Sequence, residues 1–143
     1  MKKSRIFFAL LFLAFIGIQF VEVEQTNPPV YGEIRTPIDV KTILKKSCYD
    51  CHSNSTVWPW YAKVAPVSWI ISDDVKEGRK ALNFSEWEKL KYSVKEEMIK
   101  KIWKVINNDK MPLVIYTIMH TDAKLDVLRK NIIKKWVSSY IDL

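Results

Sequence analysis

Cys48-Tyr49-Asp50-Cys51-His52 constrains this chain more than any other stretch. Cysteines three positions apart stand on neighbouring corners of one helical turn, so both thiols can reach a single planar group. A histidine directly after the second thiol sits where its ring nitrogen can act as a metal ligand beneath that group. C-x-x-C-H in this order reads as the site at which haem is joined covalently to a polypeptide: two thioethers to the two vinyl groups and one imidazole to the iron.

The N-terminus carries a separate signal. Lys2, Lys3 and Arg5 precede an uncharged run from Ile6 to Val21, and Glu22 and Glu24 are the first acidic residues. A basic start followed by an apolar run is an export signal, with a length between a signal-peptide core and a membrane span of about 20 residues. No small-x-small pair closes the run, because Ala14 and Gly17 are three apart rather than two. A retained anchor over residues 1–21 is therefore expected, with the positive cluster inside and the rest of the chain outside. No cysteine precedes Cys48, so there is no N-terminal cysteine for a lipid. Of the formal charge of +7, three units sit in the leader, leaving +4 spread over scattered lysines of the kind found on solvated helix faces. Nothing resembles a nucleic-acid-binding module. The chain has only two cysteines, and an exported unmodified pair would close a small-loop disulfide; His52 favours haem attachment instead.

Residues 22–36 contain Pro28, Pro29 and Gly32 among polar residues, as expected of a tether, and the domain is expected over 37–143. Thr36 and Pro37 suit the cap and first position of a helix whose apolar face, Ile38, Val40, Ile43 and Leu44, runs into the Cys48 motif. From Ser53 to Pro66 the chain is aromatic and proline-broken, which reads as a loop against something apolar; Trp58, Trp60 and Tyr61 are candidates to line a porphyrin. The pattern predicts a helix from Val67 to Glu77 with Gly78 just past its end. Ser85 with Glu88 and Ser93 with Glu96 fit capping boxes, for a short helix and a longer one. In the longer one Val94, Met98, Ile102, Val105 and Ile106 share a face, flanked by Ile99 and Trp103, until Asn107 and Asn108 end it. A last helix from about Asp126 aligns Leu128, Ile132, Ile133, Trp136, Val137 and Tyr140. Trp69, Trp87, Trp103 and Trp136 read as core. No segment alternates as a strand does, so the fold class is all-α.

A low-spin haem needs a second axial ligand, and the candidates are Met98, Met111, Met119 and His120. Met98 lies in an apolar stripe and Met119 reads as buried packing. Met111 follows the helix stop and precedes Pro112, which biases it away from helical geometry and onto a stiff loop able to offer its thioether. His120, the only other histidine, is the alternative distal ligand. Thioether ligation raises the reduction potential, two imidazoles lower it, and an empty sixth position admits a gas or peroxide. Arg79 can neutralise a haem propionate or pair with a carboxylate. A zinc site built from Cys48, Cys51, His52 and His120 would need adjacent Cys51 and His52 to converge on one ion, which is awkward. A thioredoxin-like centre lacks its βαβ context.

Several strings together resemble a known family, the short haem-binding-domain proteins related to c-type cytochromes and found among exported bacterial proteins. They are Ser47 through Asn54, Trp58-Pro59-Trp60-Tyr61, Pro66-Val67-Ser68-Trp69, Gly78-Arg79, Asn83 through Trp87, Met111-Pro112 and His120 through Leu125. The resemblance implies a mono-haem, cytochrome c-like helical domain with Cys48 and Cys51 as attachment sites and His52 as proximal ligand. Met111 looks like the distal ligand by the same resemblance, and His120 also belongs to the pattern. Many members carry histidine where this chain has Asp74, so no role passes to that position. The expected function is electron transfer by one covalent haem c in a protein anchored to the bacterial inner membrane and facing the periplasm. Its partner would be another redox protein. A haem-based sensor or a peroxidase-like enzyme with a displaceable distal ligand is the alternative.

Overall fold

The structure, a computed structural model, describes residues 2–141 and is helical, with no strand among the described residues. The helices in chain order are α1 (Lys2–Ile18), α2 (Ile38–Ser47), α3 (Tyr49–His52), α4 (Val67–Ala81), α5 (Tyr92–Asn107), α6 (Val114–Met119) and α7 (Val127–Ser138). Turns of 3-10 helix at Trp60–Lys63, Phe84–Lys89 and Thr121–Ala123 join them. The all-α class is as expected; residues 142–143, the end of the expected domain segment, lie outside the described residues.

The core forms where three amphipathic stripes meet. Ile99, Ile102 and Ile106 of α5 pack with Ile133, Trp136 and Val137 of α7, and α2 adds Val40, Ile43 and Leu44. Beneath the first cysteine, Tyr49 stacks on Phe84 with centroids 5.2 Å apart, and Phe84 leads on to buried Trp87. Of the positions expected on buried faces, Ile38, Leu128 and Met119 are exposed, and Trp69 is half-buried apart from the core cluster. Leu128 is exposed, because at 100° per residue it points about 140° away from Ile133, around which the buried face of α7 is centred. Met119 is also exposed, since α6 buries only Thr117.

Helix ends follow local chemistry in part. Asp126 caps α7, its carboxylate accepting from the Arg129 N–H at 2.8 Å. Asn83, rather than Ser85, caps the turn at Phe84–Lys89 and accepts from the Ser85 N–H at 3.0 Å; the Ser85 hydroxyl is engaged by the Asn54 N–H at 2.9 Å. Ser93 lies inside α5, which starts at Tyr92 without a side-chain cap. The hydroxyl of Thr36 is buried without a partner and α2 begins at Ile38, so Thr36 does not cap it either. α5 ends at Asn107, and Asp109 then turns left-handed at φ 54°, a conformation a short polar side chain tolerates.

The segment expected as a tether is extended but strapped to the domain. Its backbone bonds include Tyr31 and Gly32 N–H to the Ser85 carbonyl and Ile34 N–H to that of Phe84, and Ile34 is buried. Asn54 and Arg79 hold the same strap, through the carbonyls of Pro29 and Thr26.

The N-terminal expectation needs correction. Among the described residues no helix is long and apolar enough to cross a membrane. α1 has 17 residues, about 26 Å of rise against a hydrocarbon core of about 30 Å. It ends at Ile18, where Gln19 turns its amide onto the backbone of Ala65, at 2.9 Å to the N–H and 3.1 Å to the carbonyl. The apolar side chains of α1 nonetheless remain exposed around its whole circumference, Phe7, Phe8, Leu11 and Phe12 among them.

Candidate functional site

α2 and α3 meet at Cys48, whose φ of −135° breaks the helix between them. That hinge puts Cys48 and Cys51 on one wall of a cleft of about 410 Å³, together with Ser47 and His52. α4 supplies the second wall through Asp74, Glu77, Gly78 and Ala81, and the chain after α5 closes it with Met111, Pro112, Leu113 and Tyr116. A cleft of this size is in the range that holds cofactors and small ligands.

α4 does not stop at Gly78, contrary to the expectation that this glycine follows its end; it continues to Ala81. The reason for glycine is the neighbour. A Cβ at position 78 would stand 2.5 Å from the Cys51 carbonyl oxygen and 3.0 Å from both its carbonyl carbon and its Cβ. Only a residue without a side chain lets the helix press onto the C-x-x-C-H turn. The same approach brings the Gly78 carbonyl to 2.8 Å and the Leu82 carbonyl to 3.1 Å from His52 Nδ1. A nitrogen facing two carbonyls carries the proton, which leaves Nε2 as the free lone pair. Phe84 meets the ring edge-on at 6.4 Å and completes its support. Burial lowers the pKa of His52, against the opposing pull of the two carbonyls, so the imidazole is neutral and able to ligate at neutral pH.

Both cysteines are free thiols. Burial pushes Cys48 up to about 12, with Cys51 adding to it, and burial pushes Cys51 up to about 11, helped by Asp74 and Asp50. They are held protonated, side by side, in the cleft wall. Ser47 is buried in the same wall and its hydroxyl has no partner, a polar orphan of the kind that a bound group can satisfy.

Met111 reaches the cleft because of how α5 ends. After left-handed Asp109, the N–H groups of Lys110 and Met111 both return to the Val105 carbonyl, at 2.9 and 3.3 Å, and the chain doubles back over the cleft. His120 is placed elsewhere. Its Nε2 lies 2.7 Å from the Tyr61 hydroxyl, and its ring stacks on Tyr116 at 4.3 Å. Tyr116 in turn donates to Asp50 Oδ2 at 2.8 Å, which ties α6 to the middle of the C-x-x-C-H turn. Burial and Asp50 raise the pKa of Tyr116, so the hydroxyl stays protonated as the donor.

The structure thus gathers Cys48, Cys51, His52 and Met111 around one cleft and leaves the other candidates outside its lining. Trp60 is exposed, and Trp58 is half-buried with an unpartnered indole N–H. Arg79 donates to the carbonyls of Ser53 and Thr26, the side chain of Asn27 and the hydroxyl of Thr56, which binds the strap to the loop after His52. The zinc arrangement is not assembled: among the described residues no group of three or more His, Cys, Asp or Glu side chains could hold a metal ion.

Three participants escape a reading of the residues alone. Gly78 is ambiguous because a helix-ending and a helix-packing glycine look alike in sequence. Asn54 is buried and links Pro29, Asn83 and Ser85, and its place two residues after the motif was the available signal. The Tyr116–Asp50 bond joins positions 66 apart, with no local signal.

The residues fit a haem: two thiols at attachment spacing, an imidazole with its outer nitrogen already bonded, a thioether in the same cleft and an unsatisfied hydroxyl in its wall. Comparison with curated proteins and with solved structures yields no match. Residues 13–139 match the haem-binding domain family, a span that holds the whole cleft and every helix packed around it, and the chain accordingly belongs to that family.

Proposed function

We propose that the chain is a mono-haem c-type cytochrome that carries electrons at a membrane surface. Cys48 and Cys51 would hold the haem as thioethers, His52 through Nε2 as proximal ligand, and Met111 as distal ligand. The observation that carries this reading is the pair of carbonyl bonds to His52 Nδ1, which orients a neutral imidazole in a cleft shared with both thiols and with Met111. Bound there, haem supplies one-electron exchange between ferrous and ferric iron. The protein's part is to orient. Gly78 and Leu82 set the tautomer of His52, Phe84 sets its tilt, and the turn at Asp109 presents Met111 from a backbone already bonded to α5. His120, satisfied by Tyr61 and Tyr116, is less suited to ligation than Met111.

Membrane association belongs to the same proposal. Exposed apolar side chains all around α1 favour its lodging in lipid, and a basic start before an apolar run favours export of the domain to the periplasmic face. An acceptor or donor protein would meet the domain there.

The test is co-expression with a haem-maturation system, followed by intact mass under denaturing conditions and by oxidised and reduced visible spectra. One haem of added mass that survives denaturation, with a low-spin spectrum and a far-red methionine-to-iron band, is the expected result. Added haem with a high-spin spectrum would move the chain to gas or peroxide chemistry. No added mass would overturn covalent attachment.

A further inference from the structure

We infer that the Trp60–Ile71 corner of the domain is a second lipid contact that seats the domain on the bilayer beside α1. This rests on the reading of α1 as a lipid-embedded helix and adds to it the orientation of the cleft.

The observations begin at Gln19. Its amide makes both available bonds to the backbone of Ala65, at 2.9 and 3.1 Å, so the end of α1 is joined to the turn that leads into α4 rather than hung from a free tether. Ala65 itself is only 3% exposed. Around that junction the domain surface turns apolar. Trp60 is 76% exposed, Val64 and Val67 flank the junction with part of their surface open, and Ile70 lies one turn beyond Val67 on the same helix face and is 60% exposed. Lone exposed apolar residues are ordinary, but these flank the residue to which the end of α1 is bonded, and α1 past its basic first turn is itself apolar and exposed.

Charge points to the same occupant. From Val57 to Ile71 the sequence holds Lys63 and no acidic residue. An exposed tryptophan, aliphatic neighbours and a single lysine make up the chemistry of the headgroup boundary, where an indole sits with its apolar body inward and a lysine reaches outward. The boundary then ends abruptly. Past Ile71 come Ser72, Asp73 and Asp74, and the Ser72 hydroxyl binds the strap at the Glu24 carbonyl. The wall of the cleft begins at Asp74 and includes Gly78 on the same helix, about 10 to 17 Å of helical rise from Val67. One rigid helix therefore runs from the lipid contact to the cleft, and seating its first turn fixes the height and tilt of the cleft above the membrane.

The test uses the full haem-loaded chain in nanodiscs of phosphatidylethanolamine and phosphatidylglycerol, with a nitroxide at Ile70→Cys or, as a control further along α4, at Lys76→Cys. In the haem-loaded chain thioethers would occupy Cys48 and Cys51, which leaves the introduced cysteine as the thiol that takes the label. Collisions with oxygen report lipid and collisions with a water-soluble nickel chelate report solvent. The expected result is an oxygen-to-nickel ratio several-fold higher at position 70 than at position 76. Val67→Cys reads the same face should Ile70→Cys unfold the chain. Equal, water-like ratios in a chain that still co-purifies with the nanodisc would overturn the second contact and leave α1 as the sole anchor. A chain that does not enter nanodiscs would overturn both.

Discussion

Gly78→Ala adds one methyl group where α4 crosses the C-x-x-C-H turn. That carbon would lie 2.5 Å from the Cys51 carbonyl oxygen and 3.0 Å from its carbonyl carbon and Cβ, whereas comfortable contacts are about 3.5 Å. Two of the three atoms are backbone, so no side-chain rotation relieves the overlap, and α4 has to retreat by about 1 Å. Overpacking of this kind costs about 1–3 kcal/mol. Retreat also lengthens the 2.8 Å bond from His52 Nδ1 to the Gly78 carbonyl, worth about 1 kcal/mol. Against these, alanine inside a helix is favoured over glycine by about 1 kcal/mol. The balance is a loss of about 1–3 kcal/mol, or a Tm lower by about 3–9 °C for a domain of this size. Thermal unfolding followed by circular dichroism, on haem-free and haem-loaded chain, measures it. Gly17→Ala is the control, because nothing lies within 4 Å of that position in α1, and it should leave Tm level or slightly raised. A Gly78→Ala chain as stable as the parent would refute the close approach as the reason for glycine, since helix preference would then be the only effect present.

Three further outcomes follow from the same geometry. The haem-free chain should lose stability as pH rises from about 9 towards 11–12: burial favours the protonated thiols of Cys48 and Cys51, so their contribution is complete below the unfolded value near 9 and fades as pH passes the raised ones. Thioethers do not titrate, so urea unfolding at pH 8 and pH 11 should show a smaller alkaline loss in haem-loaded chain; equal losses would contradict covalent attachment. Asp126→Ala removes the cap on the Arg129 N–H and should cost about 1 kcal/mol, or about 3 °C in Tm, with the visible spectrum of the haem-loaded chain unchanged. Tyr116→Phe removes the 2.8 Å bond to the Asp50 carboxylate and should cost about 1.5–3 kcal/mol, with faster hydrogen exchange in α6 than in α5; unchanged exchange in α6 would show that the bond does not hold it.

Much of this protein is legible where the signal is short-range. Helical periodicity placed Ile102 and Ile106 on the buried face of α5, with Ile99, which is also buried, on its flank, because burial selects every third or fourth residue of a helix. The last helix is legible from about Asp126, whose capping bond is only three residues long. Serine and threonine caps fail where a competing partner or burial intervenes, as with Ser85, which serves Asn54, and Thr36, whose hydroxyl is enclosed without a partner. Arg79, open in the sequence between a propionate and a carboxylate, instead places its donors on the strap and the loop after His52, partners that only folding brings near it.

The sequence by itself determines the all-α class and the gathering of two thiols and an imidazole in one turn, because helix periodicity and motif spacing are properties of a few consecutive residues. Tertiary structure alone decides which nitrogen of His52 is left for a ligand, that Gly78 packs rather than terminates, and that Met111 rather than His120 lines the cleft. The roles of His52 and Gly78 rest on contacts between residues 26 to 30 apart, and His120 is held by a hydroxyl 59 residues away; the energy of such contacts exists only once the chain has closed around them.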